Sequence, residues 1–280
     1  MIPERIKEKF GFGVLLIATL IVVVPVLFIV GLIISKGWSA LSWNFLFTMP
    51  REGMRAGGIF PAIVGTLYLV FVSIAFALPI GVMAAIYLSE YAKDNVLTRT
   101  INLAIVNLAG VSSVVYGLFG LSLFVVFLKF GVSIISGALT LGIMTLPVII
   151  TTTREALRAV PNSYREVSLS LGATRWQTIR HSVLPSAIPG ILTGAILSIG
   201  RVAGETAPIL FTVAAFYLPR LPHSPLDQAM ALPYHLYIVS TQIPNVPENY
   251  RYGTAFVLVG LVLVMNISAV LIRSRFRRKK

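Results

Sequence analysis

The 280-residue sequence contains no cysteine and only three histidines, His181, His223 and His235. The absence of cysteine excludes disulfide frameworks, zinc sites with thiolate ligands and iron–sulfur clusters. No two histidines have the spacing of a metal-binding motif, so no metal site is expected. The phosphate-binding loop GxxxxGK[ST] is also missing, so the chain does not bind ATP by that route. We expect no cofactor.

Charged residues are scarce as well. They make up 12% of the chain, about half of the roughly 25% found in a typical soluble domain. Hydrophobic residues make up 56%, and the mean hydropathy is +0.87. This hydrophobicity excludes a disordered chain, and it excludes a nucleic-acid-binding protein, although the formal net charge of +13 would suit one. The composition therefore predicts an all-α membrane protein that crosses the bilayer several times.

Six stretches of the chain are long and apolar enough to cross a bilayer, which takes ~20 residues in a helix. They are residues 11–35, a segment within 56–89, and residues 100–128, 130–153, 188–218 and 252–272. The first exceeds the roughly 7–15 apolar residues of a secretory signal and lacks a clear A-x-A site, so we interpret it as a retained helix. In the fifth, the glycine pairs Gly190/Gly194 and Gly200/Gly204 predict close packing against a neighbouring helix.

The distribution of Lys and Arg predicts the orientation of these spans. If the N-terminus lies inside, most of the 23 Lys and Arg residues fall in inner segments. They lie at the start of the chain, in the loop after the fourth span, and at the end of the chain. Because loops rich in Lys and Arg face the cytoplasm, both termini are expected there.

These spans suggest a division of the chain into three parts. Residues 1–60 would hold an N-terminal tail, the first membrane helix and an outer loop. Residues 61–275 would form a core domain of five helices, and residues 276–280 a basic cytoplasmic tail. The core would include an inner loop at residues 154–189 and an outer loop at residues 217–251.

The outer loop is long and rich in proline. Its middle, from Leu226 to Thr241, has enough apolar residues for a short helix that Pro233 would interrupt. A connection of this length is often functional, so the loop is expected to line an outer vestibule or to dock an outside partner. A simple connector is the alternative.

The inner loop predicts a pair of short helices. Pro161 would end the preceding helix, Asn162 or Ser163 would cap the first short helix, and Gly172 would end it. Tyr164, Val167 and Leu171 recur on one face of this helix and form an apolar ridge. An exposed ridge suits a groove on another protein, and the alternative is an amphipathic segment on the inner lipid surface.

The spacing in this loop resembles the EAA loop of ABC importer permeases. That pattern is a glutamate, two alanines, three residues, a glycine, nine residues and then I-x-L-P. Here Glu166, Gly172, Leu184 and Pro185 are in register. The residues that depart from the pattern are Val167 and Ser168, in place of alanines, and Ser182, in place of isoleucine.

Three longer segments show a more specific resemblance. The segments REALRAVPNSYREVSLSLGATRWQTIRHSVLP from residue 154, GRVAGETAP from residue 200 and MALPYHLYIVS from residue 230 resemble the phosphate-specific PstA family of these permeases, over nearly the whole chain. The resemblance implies a six-helix, type I importer (MetI-like) bundle that forms half of a phosphate pathway in a bacterial plasma membrane and has no catalytic activity. It also implies a PstC-like sister permease, two ATPase subunits and an extracytoplasmic phosphate-binding protein. The residues implied to couple to the ATPase are Tyr164, Glu166, Val167, Leu171, Gly172, Ala173, Leu184 and Pro185.

Arg201 and Glu205 are the only charges well inside a predicted span. An arginine at the bilayer centre costs roughly 2.5–3.5 kcal/mol on insertion scales, so the pair should face protein or water. In a continuous helix these residues would share one face and pair. We predict that Arg201 meets phosphate oxygens, that Glu205 neutralises it between cycles, and that Thr206 adds a hydroxyl or bonds back to its own helix. A purely structural ion pair is the alternative.

Three other functions remain open from the sequence. An importer for another oxyanion, such as sulfate, molybdate or phosphonate, would have the same organisation. A secondary transporter commonly shows inverted repeats and broken helices, and neither is evident in the sequence. A non-transporting membrane scaffold would have no use for Arg201 and Glu205.

Overall fold

The computed structural model describes residues 4–278, and it is built almost entirely of helices. Residues 1–3 and 279–280, which belong to the predicted N-terminal and basic tails, lie outside the described residues. The helices are α1 Glu4–Gly37, α2 Trp43–Phe47, α3 Phe60–Ile86, α4 Val96–Ala109, α5 Ser113–Gly120, α6 Ile134–Arg158, α7 Asn162–Ser170, α8 Arg175–Thr178, α9 Leu184–Gly204, α10 Ala207–Thr212, α11 Leu232–Thr241 and α12 Glu248–Arg278. Two short strands, β1 Pro50–Arg51 and β2 Ala56–Gly57, pair antiparallel between α2 and α3.

Short non-α turns continue several of these helices. The π-helical turns Tyr87–Tyr91, Leu121–Phe127 and Ile179–Val183 extend α3, α5 and α8, and the last of them joins α8 to α9. The 3₁₀ turns are Trp38–Ala40, after α1, and Glu52–Met54, between the two strands.

Within residues 4–278, five helical segments are long and apolar enough to cross a membrane. They are Gly11–Ala40, Phe60–Tyr91, Ile134–Arg158, Arg175–Gly204 and Glu248–Arg275. A sixth crossing is present if α4 and α5 with its π turn count as one span, although their axes meet at 105°. The prediction of a continuous third span at residues 100–128 was wrong in this respect.

The corner between α4 and α5 has a local cause. Gly110 follows the last residue of α4, and Ser112 adopts an extended backbone, with φ −62° and ψ 143°, before α5 begins. Glycine and serine both favour helix ends over helix interiors. The Tyr116 hydroxyl donates to the Leu108 carbonyl at 2.9 Å and braces the corner.

The centre of the bundle is the packing of α6 against α3 and α9. Small residues allow this approach: a methyl group added at Gly81 would overlap the Ile149 side chain, and one at Gly194 would overlap Thr152. Gly190 likewise lies against Ala156 of α6. The predicted packing role of the Gly190/Gly194 pair is therefore confirmed.

The second glycine pair is only partly in contact with a neighbour. Gly200 faces the Asn266 side chain of α12, whereas Gly204 has open space beside it. The prediction of close packing holds for one member of this pair. Gly204 has a different role, because it is the last residue of α9.

The outer loop folds back into the bundle and does not form a loose connection. The four residues 229–232 are at most 2% exposed. The Leu232 amide donates to the Thr66 hydroxyl of α3 at 2.8 Å, and the Ile134 amide of α6 donates to the Asp227 carbonyl at 2.9 Å. The loop thus covers the starts of two core helices.

Pro233 lies at the start of the helix in this loop, whereas the sequence predicted that it would interrupt the helix. It lies in the first turn of α11, which starts at Leu232. A proline is favourable in the first turn because the amide that it lacks would have no partner there. The predicted helix is therefore shorter than residues 226–241 and is not broken.

Candidate functional site

The apolar ridge on α7 is exposed, as its spacing predicted. Tyr164, Val167 and Leu171 are 50%, 59% and 83% exposed, and no residue of α7 is buried. A groove of about 400 Å³ runs along the ridge and is lined by Ser163, Tyr164, Val167, Ser168, Leu171 and Ser182. Glu166 is also exposed. Because exposed apolar patches on a folded chain mark interaction sites, this face is a candidate docking surface.

Gly172 ends α7 with a left-handed residue, as predicted. Its φ is +83°, its amide donates to the Leu169 carbonyl at 3.0 Å, and the Ala173 amide donates to the Ser168 carbonyl at 3.2 Å. These two bonds define a Schellman turn, which satisfies the last carbonyls of the helix. The turn sets the direction in which the chain leaves the ridge.

The start of α7 differs from the prediction. Pro161 precedes the helix and Asn162 is its first residue, so no side chain caps its N-terminus. The helix is instead anchored by Arg165. Its guanidinium forms two bonds to the Glu90 carboxylate, Nη2–Oε1 at 2.6 Å and Nε–Oε2 at 3.2 Å, and two more to the carbonyls of Leu157 and Val160. Glu90 and Arg165 did not emerge from the sequence as site residues.

A second contact fixes α7 to the helix that follows. The Thr178 hydroxyl of α8 donates to the Ser168 hydroxyl at 3.0 Å. Ser168 stands where alanine is usual in the EAA pattern, so this departure has a structural use in the chain. A capping box between Thr174 and Gln177 starts α8, and such a box satisfies two amides at once.

Leu184 and Pro185 lie inside a continuous helix, not in a loop before one. The π turn Ile179–Val183 carries α8 directly into α9, so one helical segment runs from Arg175 to Gly204. The expected start of this span near residue 188 was therefore too late. Pro185 comes just after this π turn, so the backbone hydrogen bond that it cannot donate falls where π bonding changes to α bonding.

The helix that contains Arg201 ends at Gly204, which overturns the expected continuous span to residue 218. Glu205 has an extended backbone, with φ −73° and ψ 140°. The cause is Pro208, which has no amide to donate to the Gly204 carbonyl four residues earlier and whose ring would clash with it. The helix resumes only at Ala207.

Arg201 and Glu205 remain paired across this break. The Arg201 Nε lies 3.4 Å from the Glu205 Oε1, and the two side chains are 32% and 18% exposed. The bond is long, and the guanidinium has further donors besides Nε. The pair is thus partly accessible and loosely held.

Thr206 precedes α10, and its side chain caps no amide of that helix. A bond from its hydroxyl back to a carbonyl one turn earlier requires a continuous helix, and the break removes that helix. The break also adjoins α5: the Cα of Pro208 and the carbonyl of Ala207 lie close to Gly117.

The structure therefore separates the predicted site residues into two groups. Arg201, Glu205 and Thr206 lie at one end of α9, and Leu184 and Pro185 lie at the other, next to the α7 ridge. Arg201 comes seventeen positions after Leu184 along α9, which corresponds to roughly 25 Å of α-helix. Any communication between the two groups passes along this helix or its neighbours.

The structure thus combines an apolar helix bundle, an exposed short helix that ends in a glycine turn, and an ion pair at a break between two helices. The sequence profile of the binding-protein-dependent transport system inner membrane components matches residues 53–280, and the chain belongs to this family. It is a non-catalytic permease subunit of an ABC transporter, embedded in the membrane through several spans.

Individual relatives extend over nearly the whole chain. A probable ABC transporter permease protein of Bacillus subtilis (strain 168), YqgI, is 37% identical over 95% of this chain and 95% of its own length. The phosphate transport system permease protein PstA 1 of Mycobacterium tuberculosis (strain CDC 1551 / Oshkosh) is 34% identical over 99% of this chain and 92% of its own length.

A solved structure confirms the predicted type of fold. A chain of the MetNI methionine ABC transporter, in an inward-facing conformation, superposes with a TM-score of 0.63 at 18% identity. The match covers 77% of this chain and 94% of that chain. The all-α, MetI-like bundle predicted from the sequence is therefore correct.

Proposed function

We propose that this chain is a PstA-like permease subunit that forms half of the translocation pathway of an ATP-driven phosphate importer. The observation that carries the proposal is the position of Arg201, which lies at a helix break inside the membrane bundle and is 32% exposed. An arginine inside a membrane costs free energy unless it interacts with a polar group of the protein, with water or with a ligand. The names of the phosphate permease relatives support phosphate as that partner.

Arg201 is suited to a transient contact with an oxyanion. Its planar guanidinium presents several donors that match phosphate oxygens. Glu205, 3.4 Å away, competes with the anion for the same guanidinium. A pathway residue must bind weakly enough to release its substrate, and this competition keeps the affinity low. Thr206 would contribute a hydroxyl at the same break.

The α7 ridge is the proposed contact with the ATPase. Tyr164, Val167 and Leu171 would enter a groove on one ATPase subunit, with Glu166 at the edge of the contact and the Gly172–Ala173 turn fixing its angle. ATP binding would draw two ATPase subunits together and move the ridge. The pathway would then change from inward-open to outward-open by motion of rigid helices.

The assembly needs partners that the chain does not supply. One chain has one ridge, so a PstC-like sister permease would provide the second half of the pathway and face the second ATPase subunit. An extracytoplasmic phosphate-binding protein would deliver substrate to the outer loop. We place the complex in a bacterial plasma membrane, surrounded by lipid, with both termini in the cytoplasm.

Transport by a purified complex in vesicles tests the substrate and the role of Arg201 together. We expect ATP-dependent uptake of radiolabelled phosphate, which Arg201→Gln reduces and Arg99→Gln, an exposed variant at the start of α4, does not. Equal uptake by the Arg201→Gln complex at equal assembly would contradict the role of Arg201. Uptake of sulfate, molybdate or phosphonate in place of phosphate would favour another oxyanion, and uptake without ATP would favour a secondary transporter.

A further inference from the structure

Arg165 forms more hydrogen bonds than any other described side chain of α7, and two of them join it to Glu90. Arg165 donates to both oxygens of Glu90 and to the carbonyls of Leu157 and Val160, at 2.6 to 3.2 Å. A fifth, long bond of 3.5 Å reaches the Asn162 side chain. One side chain of α7 therefore contacts the end of the α3 extension and the end of α6.

These partners belong to the helices at the centre of the bundle. Glu90 lies in the π turn Tyr87–Tyr91 that extends α3, and Leu157 lies in the last turn of α6. The carbonyls at the end of a helix have no partner within that helix, and a cation placed there is favourable. Arg165 therefore places a cation at the end of α6, where the Leu157 carbonyl accepts from it as well as from the Val160 amide.

The pair is shielded from solvent, unlike a comparable pair nearby in the sequence. The side chains of Arg165 and Glu90 are 20% and 11% exposed, whereas those of Arg99 and Asp94 are 71% and 73% exposed. An exposed pair contributes little and is screened by salt. Removing one partner of a shielded pair leaves an uncompensated charge, so it has a large effect.

Apart from Arg165, α7 contacts α8 and the π turn Ile179–Val183, which follow it in the chain. None of its residues is buried, and the Ser168–Thr178 hydroxyl bond ties it only to the following short helix. A displacement of the ridge can therefore reach α3 and α6 directly through Arg165. From α6 it continues to α9, since Gly190 and Gly194 of α9 lie against Ala156 and Thr152 of α6.

We infer that Arg165 and Glu90 are positioning residues that make α7 move as one body with the inner ends of α3 and α6, and so carry ATPase motion to the pathway. This inference rests on the proposed function, in which α7 docks on an ATPase. Neither residue touches substrate. Their role is to prevent the ridge from pivoting about the Gly172 turn when the ATPase pulls on it.

Transport coupling in the assembled complex is the first test. Arg165→Ala and Glu90→Gln should each lower the phosphate transported per ATP by about tenfold, and the double variant should lose no more than either single one, since the two residues act as a unit. Arg165→Lys should retain part of the coupling because it keeps the charge and one donor direction. Asp94→Asn and Arg99→Ala, which break the exposed pair, should leave the ratio unchanged.

A distance measurement gives a second test, and its first measurement keeps the ion pair intact. The chain has no cysteine, so Lys93→Cys and Ser170→Cys introduce a single pair of spin labels, one beyond Glu90 and one on α7. With the ion pair intact, the label distance should be the same in the nucleotide-free and ATP-bound complex. With Glu90→Gln, it should differ between the two states.

The outcomes separate this inference from the proposed function. A label distance that changes with ATP while the pair is intact, or wild-type coupling in Glu90→Gln, would overturn the link. If Leu171→Asp also leaves ATPase binding and uptake unchanged, the proposed docking of α7 fails as well. If Leu171→Asp abolishes ATPase binding while Glu90→Gln keeps full coupling, only the link fails.

Discussion

Arg201 and Glu205 face each other across the break between α9 and α10, with the Arg201 Nε 3.4 Å from the Glu205 Oε1. The pair is not a helical i,i+4 pair, because Glu205 lies beyond the last turn of α9 in an extended conformation. Its separation is therefore not fixed by helix geometry and can change when the break flexes. An arginine held in this way is available to a second anion.

We predict that Glu205→Gln makes the proposed pathway tighter and slower. The amide no longer competes for the Arg201 guanidinium with a full negative charge, so the anion is released less readily. Because hydrogen bonds to charged groups contribute about 1.5–3 kcal/mol, KM and kcat for phosphate should both fall, by roughly tenfold. The measurement is concentration-dependent uptake in vesicles, and a rise in KM with unchanged kcat would contradict the role given to Glu205.

We predict that Leu171→Asp abolishes binding of the ATPase subunit. This side chain is 83% exposed on the ridge, and a carboxylate in an apolar groove of a partner is strongly unfavourable. Val96→Asp is the matched control, since Val96 is 81% exposed at the start of α4, away from the ridge. Co-purification of the ATPase with each variant checks the prediction, and equal losses in both would indicate a general folding defect.

The turn at Gly172 gives a third prediction. A β-branched residue at φ +83° strains the backbone by about 1–2 kcal/mol, so Gly172→Val should let ATP hydrolysis continue while uptake falls. Gly172→Asn should be milder, because asparagine tolerates the left-handed conformation. Gly131→Val imposes similar strain in the segment before α6, at φ +67°, and should leave coupling intact. The ratio of uptake to hydrolysis measures the effect.

Close packing between α6 and α9 gives a fourth prediction. A methyl group at Gly194 would overlap the Thr152 side chain, and overpacking of this kind costs about 1–3 kcal/mol. Gly194→Ala should therefore lower the Tm of the purified protein. Gly260→Ala is the control, because Gly260 of α12 has open space beside it. Equal Tm values for the two variants would show that the α6–α9 contact accommodates the added methyl group without loss of stability.

We predict that the folded protein loses stability in mild acid because His235 is buried. It is 1% exposed in α11, and burial lowers its pKa from 6.5 to about 4. Between these two values the unfolded chain binds a proton that the folded chain does not, so stability falls as the pH decreases from about 6.5 towards 4. The slope is about 1.4 kcal/mol per pH unit at most.

The check is the Tm measured at pH 7.5 and at pH 5.5. His235→Gln should show a smaller decrease than the wild type, because it removes the titrating ring. His223→Gln should decrease as the wild type does, since His223 is exposed in the outer loop. An unchanged pH dependence in His235→Gln would assign the acid sensitivity to another group.

Local patterns in the sequence were enough to predict most of the helices and the ridge. Apolar length identified the spans, and the spacing of Tyr164, Val167, Leu171 and Gly172 predicted the geometry of α7, because these features depend only on neighbouring residues. Pro208, which causes the break after Gly204, is visible in the sequence. The apolar residues around it nevertheless favoured the prediction of a continuous span. Reading the proline first would have placed Glu205 outside the helix.

The contacts that join distant parts of the chain could not be predicted in this way. Glu90 and Arg165 are 75 residues apart, and only the packing of α3 against α6 brings them together. The burial of residues 229–232 likewise depends on the Thr66 hydroxyl and on the start of α6. A single sequence contains no periodicity that reports such pairings.

The continuous helix from Arg175 to Gly204 would transmit a rotation from one end to the other in the proposed transport cycle. Its 30 residues span roughly 45 Å at about 1.5 Å per residue. A tilt of about 5° at the Arg175 end would therefore sweep the Gly204 end through roughly 4 Å, by simple geometry on that length. Arg201 lies one turn before that end and would move with it, so a slight rotation at the Arg175 end would be enough to shift the guanidinium relative to the neighbouring helices α3 and α6.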